Sequence, residues 1–142
     1  MTSSEPAADA PGAYAATTRG VRVSVTPRFL AERSDPDRGR YFWAYDVRIE
    51  NLGEETVQLV SRHWRITDAL NRVEEVRGPG VVGEQPALKP GEAFEYTSGC
   101  PLTTASGAMR GAYQMVIASG EGFEAEIPEF SLHLPGADHR RN

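Results

Sequence analysis

Apolar residues that alternate with polar ones constrain the fold of this chain more than any other feature. The clearest example runs from Tyr41 to Asn51. One face of an extended strand there would carry Tyr41, Trp43, Tyr45, Val47 and Ile49, and the other face would carry Ala44, Asp46, Arg48 and Glu50. A period of two is typical of a β-strand with one buried face. We therefore predict a strand over these eleven residues.

Similar short segments recur along the chain and are separated by Gly- and Pro-rich turns. The predicted strands are 21–30, 41–51, 57–67, 73–76, a segment around 94–96, 113–117, 123–127 and 130–134. The parity of apolar residues changes within residues 60–63, which predicts a bulge or a crossing between sheets. Residues 99–111 are rich in small residues and are predicted to be mostly loop. No helical period persists for the roughly ten residues that a helix needs.

These patterns predict an all-β fold. Seven or eight short strands joined by tight turns are typical of an antiparallel β-sandwich of the fibronectin-III or immunoglobulin type. The predicted sandwich spans residues 18–135, and 142 residues suffice for one domain with a real core. Residues 1–17 are predicted to be a disordered leader, and residues 136–142 a flexible tail.

Charge and cysteine content exclude several classes of function. The formal net charge of −5 argues against a nucleic-acid binder, which would need a basic face. Cys100 is the only cysteine, so an internal disulfide is impossible and a reducing compartment is favoured. The chain has neither the pattern of a signal peptide nor the ~18 to 20 apolar residues that span a bilayer. We predict a cytoplasmic protein that does not insert into a membrane.

Three glycines concentrate in one loop, residues 76–86. They are Gly78, Gly80 and Gly83. Their GxGxxG spacing matches the dinucleotide-binding fingerprint, in which the glycines open a helix whose N–H groups hold a pyrophosphate. Pro86 and Pro90 follow too closely for such a helix to form. The spacing therefore does not predict a Rossmann unit.

Other interpretations of the loop stay open. Its backbone N–H groups could form a nest for a nucleotide or polyphosphate anion, helped by Arg77 and by Arg62 or Arg65. It could instead be a tight connection whose glycines solve a packing problem, or a surface that contacts a protein partner. Glu84 and Gln85, which follow the third glycine, complete the candidate loop site.

The segment from Arg62 to Arg65 is the second candidate. A strand places Arg62 and Trp64 on one face and His63 and Arg65 on the other. An exposed Trp64 would form an interface anchor together with Arg62. The alternative is that Trp64 packs in the core beside Trp43.

Several linked segments resemble the ApaG family. They are Arg62-His63-Trp64-Arg65-Ile66-Thr67-Asp68, the loop 76–86, Pro90-Gly91, Tyr96-Thr97-Ser98-Gly99-Cys100-Pro101-Leu102, Met109-x-Gly111-x-Tyr113 and Ile127-Pro128-x-Phe130-x-Leu132. The resemblance runs from about Thr18 to Leu134, and Arg72 stands where the family pattern usually has glycine. It implies a fibronectin-III-like sandwich and a protein-binding module, since similar eukaryotic domains are joined to F-box and polymerase-interacting proteins. Bacterial members are commonly named as cobalt and magnesium efflux-associated proteins.

The sequence predicts neither a catalytic nor a metal site. Its three histidines, His63, His133 and His139, are scattered, and metal ligation needs convergent groups. Ser98 and Cys100 have no placed histidine base. We therefore predict a non-enzymatic protein-binding module that has no cofactor and acts on an unidentified partner, with any role in cation efflux indirect. A nucleotide- or polyphosphate-binding protein is the alternative. Free edge strands allow a monomer or a weak dimer.

Overall fold

Two antiparallel β-sheets packed face to face form the part of the chain that the computed structural model describes, residues 14–135. Its strands are β1 (Tyr14–Thr18), β2 (Val21–Phe29), β3 (Tyr41–Asn51), β4 (Val57–Asp68), β5 (Val73–Pro79), β6 (Ala87–Leu88), β7 (Ala93–Leu102), β8 (Gly107–Ile117) and β9 (Gly122–Leu132). The first sheet has the order β1-β2-β3-β7. The second has the order β5-β4-β8-β9, and β6 pairs with β4. The predicted all-β sandwich is confirmed.

Two one-turn 3-10 helices, Ala31–Arg33 and Pro36–Arg38, lie between β2 and β3. No helix within residues 14–135 is long and apolar enough to cross a membrane.

The core lies between the sheets and follows the predicted alternation. Trp43, Tyr45, Val47 and Ile49 are all buried in β3, as the period of two predicts. From the second sheet, Trp64 packs edge-on against Tyr45, with ring centroids 5.3 Å apart. It also meets Phe130 at 5.9 Å with perpendicular rings. Aromatic contacts of this geometry add about 0.5–1.5 kcal/mol each beyond simple burial, so this cluster joins the two sheets firmly.

The strand count and the start of the fold differ from the prediction. The structure has nine strands in the described residues. Two short ones give no sequence signal, and the predicted strands 123–127 and 130–134 are in fact one continuous strand, β9. β6 has two residues, and β1 has only half-buried and exposed residues. β1 pairs with β2, so a disordered leader that extends to residue 17 is wrong for residues 14–17. Residues 1–13 and the predicted tail, 136–142, lie outside the described residues.

The prediction of a loop over residues 99–111 is wrong, because β7 continues to Leu102 and β8 begins at Gly107. The small residues there serve close packing. A Cβ atom on Gly99 would lie 2.7 Å from the Phe42 ring. A Cβ atom on Gly111 would lie 2.1 Å from the carbonyl oxygen of His63 on the paired strand.

The predicted bulge in β4 is confirmed. Its register against β8 shifts between Leu59 and Ser61. An extra residue reverses the parity of the side chains that follow it. Leu59 and Trp64 therefore both point into the core, although they lie on opposite parity in the sequence.

The turn after β4 accommodates Arg72 without a glycine. Asn71 takes the left-handed backbone conformation, with φ of 65°. The Asp68 carboxylate accepts hydrogen bonds from the N–H groups of Leu70 and Arg72, each at 2.9 Å. It also accepts one from Arg72 Nε at 2.7 Å, so this arginine helps to hold the turn.

Candidate functional site

A cavity of about 360 Å³ opens between the two sheets on the side where both end in free edge strands. Residues of β5 and of β7 line it, and each of these strands pairs with a single neighbour, β4 and β3 respectively. At the opposite side, β9 packs against β1 and β2. The volume falls in the range of ligand pockets, roughly 300–1,000 Å³.

The floor of the cavity is apolar. It is lined by Tyr45, Trp64, Ile66, Val76, Val81, Cys100 and Met109. Trp64 is only 2% exposed, so its placement in the core is confirmed and the alternative of an exposed interface anchor does not hold. Its aromatic neighbours are Tyr45 and Phe130 rather than Trp43.

Arg62 brings the positive charge into this cavity. Its Nη1 donates to the carbonyl oxygens of Pro79, at 3.0 Å, and Gly80, at 2.9 Å. Gly78 lies opposite Arg62 in the β4–β5 pairing, and a Cβ atom there would be 3.1 Å from the guanidinium nitrogens. The glycine therefore leaves room for the guanidinium. Arg62 forms no ion pair with any residue of the described part of the chain.

The glycine loop is a tight hairpin beside the cavity. The N–H of Val81 donates to Glu84 and the N–H of Glu84 donates to Val81, each at 2.8 Å. The two residues at its tip, Val82 and Gly83, have φ of 42° and 82°. Positive φ at both positions is the backbone of a two-residue β-hairpin turn. Val82 is 56% exposed.

The loop N–H groups are largely committed within the protein. Gly80 donates to the carbonyl oxygen of Val60 at 2.8 Å, in addition to the two cross-hairpin bonds. The Gln85 side chain donates to the same Val60 oxygen at 2.8 Å. An anion nest would need these backbone donors. Their pairing therefore supports the interpretation of the loop as a tight connection whose glycines are required by close packing.

Arg77 does not join Arg62 at the cavity. It lies on the outer face of the second sheet, 70% exposed and 3.3 Å from Glu75. His63 and Arg65 pair with the same carboxylate, as their predicted position on the face opposite Arg62 requires. The His63 hydrogen bond, together with the charges of Arg77 and Arg65, holds the pKa of Glu75 below its usual value. The predicted site residues are thus divided between two faces.

A cluster of tyrosine hydroxyls inside the sandwich was missed by the sequence reasoning. The hydroxyls of Tyr96 and Tyr113 share a hydrogen bond, and Tyr45 and Ser98 line the same cavity as Tyr96. Desolvation raises the pKa of all three tyrosines, which moves it still further above neutral pH. These residues come from β3, β7 and β8. Only the strand register brings them together, so no local signal could have found them.

Cys100 lies against the cavity as a buried thiol rather than a nucleophile. It is 2% exposed, and burial, with a smaller contribution from the charge of Glu74, raises its pKa to about 12. The thiolate is the reactive form, so a raised pKa suppresses reactivity at neutral pH.

We expect the folded protein to react with iodoacetamide at pH 8 at least about a hundredfold more slowly than the same protein in urea, because both accessibility and thiolate fraction fall on folding. Mass spectrometry of timed samples measures the rate. Equal rates in the two states would contradict the burial of this thiol.

No group of three or more His, Cys, Asp and Glu side chains within residues 14–135 could hold a metal ion. His63 is hydrogen-bonded to Glu75 and lies far along the chain from His133. His139 lies outside the described residues.

Comparison with known proteins gives one consistent family. A model of the ApaG domain matches residues 31–117. Protein ApaG of Rhodospirillum centenum is 63% identical over 129 residues, which are 91% of this chain and 99% of that protein. Protein ApaG of Caulobacter vibrioides is 62% identical over 130 residues, covering 92% and 93%. The crystal structure of a Bordetella pertussis protein described as ApaA is 57% identical, with a TM-score of 0.80 and coverage of 81% and 94%. The chain belongs to the ApaG family.

Proposed function

We propose that the protein is a non-enzymatic binding module that holds an extended segment of a partner protein in the cavity between β5 and β7. The observation that carries the proposal is the apolar cavity bordered by two free strand edges. Apolar side chains of a partner would bury surface in the cavity, and its backbone would pair with an edge strand.

The two edges differ in how open they are to pairing. β5 carries charged residues at Glu74, Glu75 and Arg77 and ends in Pro79, features that natural proteins use to block edge pairing. β7 has no charged residue between Tyr96 and its end, and its one proline, Pro101, lies next to that end, so residues 96–100 offer an unblocked edge. We therefore assign the backbone pairing of the partner to β7 and the side-chain contacts to the cavity.

Val82 supports an interaction surface at the loop tip. A β-branched residue is unfavourable at positive φ, and Asn is the residue that two-residue hairpin turns prefer at this position. The structure nevertheless has an exposed valine there, at φ of 42°, whose side chain lines the cavity. Backbone strain of this kind clusters at functional sites. An exposed apolar contact at the mouth of the cavity explains the choice.

Val82→Asn is expected to raise the free energy of unfolding by about 1 kcal/mol, because asparagine fits the turn better. The same change is expected to weaken partner binding about fivefold or more through the loss of apolar contact. A peptide selected by phage display on the folded protein serves as the probe, after NMR shifts have placed it in the cavity. Urea unfolding and fluorescence anisotropy measure the two effects.

Leu70→Asn is the matched control, since Leu70 is 65% exposed on the turn after β4 and does not line the cavity. It should leave peptide affinity unchanged. The proposal fails if selected peptides map outside the cavity, or if Val82→Asn binds them as tightly as the parent protein does.

Nucleotide or polyphosphate binding by the glycine loop is less well supported, because three of the loop N–H groups are already paired. A link to cobalt or magnesium efflux, and a location in the cytoplasm, stay predictions. On the present proposal such a link is indirect and passes through the bound partner.

A further inference from the structure

We infer that the partner segment carries an acidic side chain whose carboxylate binds Arg62 inside the cavity. This inference rests on the proposed function and adds the chemistry of the residue that the cavity selects.

Arg62 has unused hydrogen-bonding capacity that points to an anionic ligand. Only its Nη1 is engaged, with two main-chain carbonyls, so Nε and Nη2 have no acceptor within residues 14–135. The residue is half-buried, and a partly desolvated cation gains from a carboxylate partner. A guanidinium already fixed by two carbonyls loses little further conformational freedom when such a ligand binds.

Neutral donors surround the same end of the cavity. The hydroxyls of Tyr45, Tyr96 and Ser98 line it beside Arg62. Both tyrosines are protonated at neutral pH, and burial raises their pKa further. Tyr96 shares a hydrogen bond with Tyr113 in which either hydroxyl can be the donor, so Tyr96 can turn its proton to a ligand when Tyr113 donates. One guanidinium together with several hydroxyl groups can supply the opposite charge and the hydrogen bonds that a carboxylate needs on leaving water.

Glu74 is the one acidic residue that lines the cavity, and it lies towards the other end. Arg62 pairs with Gly78, and Glu74 lies four residues before Gly78 on β5. Four residues of an extended strand correspond to about 13 Å. Glu74 therefore leaves the Arg62 end available to an anion, and it disfavours a second acidic residue at the far end.

The free edge of β7 beside the cavity favours a peptide strand as the occupant. A partner strand that pairs with β7 runs along the cavity and presents alternate side chains to it. We expect an acidic residue at the Arg62 end, with apolar residues at the second and fourth positions beyond it facing the apolar floor.

The test compares a cavity-bound peptide, selected as above, with its Glu→Gln or Asp→Asn counterpart, so that the protein itself is unchanged. We expect the amide peptide to bind the parent protein at least tenfold more weakly. We also expect the Arg62 Nε–Hε NMR signal to shift with the acidic peptide and not with the amide peptide.

Protein variants complete a double-mutant cycle. With Arg62→Gln the acidic and amide peptides should bind within about twofold of each other, because the pairwise interaction is gone. Arg77→Gln, on the opposite face of the sheet, should preserve the full difference. If Arg62→Gln does not fold, Tyr96→Phe, which removes one hydroxyl and keeps the ring, should reduce the difference between the two peptides.

Peptides that occupy the cavity without any preference for an acidic residue would overturn this inference and leave the proposed function intact. Peptides that bind elsewhere would overturn the proposed function itself. If a free acid such as 3-phenylpropionate binds in the cavity with higher affinity than any selected peptide, the inference of a peptide is wrong. The occupant would then be a small carboxylate.

Discussion

Replacing Gly80 by alanine is expected to lower the free energy of unfolding by about 3 kcal/mol, through a backbone strain and a steric clash that add together. Gly80 has φ of 60°, where a side chain is disfavoured. A Cβ atom there would also lie 2.2 Å from the carbonyl oxygen of Glu84, across the hairpin. The cross-hairpin bonds between Val81 and Glu84 leave that oxygen little freedom to move. Urea unfolding followed by circular dichroism measures the loss.

Gly83→Ala separates the two causes. Gly83 has φ of 82°, but a Cβ atom there would meet nothing within 4 Å. We expect it to cost about 1 kcal/mol, the price of the left-handed backbone alone. Gly80 connects the end of β5 to Val81 and Val82, which line the cavity. Its alanine variant should therefore also lose peptide binding, whereas Gly83→Ala should largely retain it. Equal losses of stability in the two variants would contradict the packing role of Gly80.

The alternation of apolar residues made the fold predictable, because each strand with one buried face shows its period in the sequence. In residues 41–51, Trp43, Tyr45, Val47 and Ile49 are buried as predicted, although Ala44 and Glu50 on the predicted outer face are buried as well. β1 was missed for the same reason, since it buries no residue fully. The loop predicted over residues 99–111 was wrong because glycine is typical both of loops and of strands that approach each other closely. Only the position of neighbouring atoms, such as the His63 carbonyl beside Gly111, distinguishes the two.

The candidate site was less predictable than the fold, because it depends on register. The sequence correctly placed Arg62 and Trp64 on one face of β4. It did not show that Arg77, on the neighbouring strand, faces the other way and pairs with Glu75. Nor could it bring Tyr45 and Tyr96 together. The strands that carry them, β3 and β7, are neighbours in the sheet, but β4, β5 and β6 lie between them along the chain. The cavity is assembled from several strands, and no local motif in the sequence marks it.

Trp64→Ala is expected to lower the free energy of unfolding by about 4 kcal/mol, more than the change expected for Gly80→Ala. The side chain is 2% exposed and contacts Tyr45 across the sandwich and Phe130 of its own sheet, so its removal leaves a large void and breaks both aromatic contacts. Trp64→Phe keeps part of the ring and should lose about half as much. Circular dichroism during urea unfolding is the suitable measurement, since tryptophan fluorescence changes with the substitution itself.

Leu70→Ala, at a side chain that is 65% exposed, should change stability by less than about 0.5 kcal/mol and sets the scale for a surface position. The contrast tests the two interpretations of Trp64 that the sequence leaves open. A core residue loses stability when truncated, and an interface anchor loses affinity without losing stability. A Trp64→Ala protein that unfolds at the parent's urea concentration, yet no longer binds the selected peptide, would contradict the core role and return Trp64 to the binding surface.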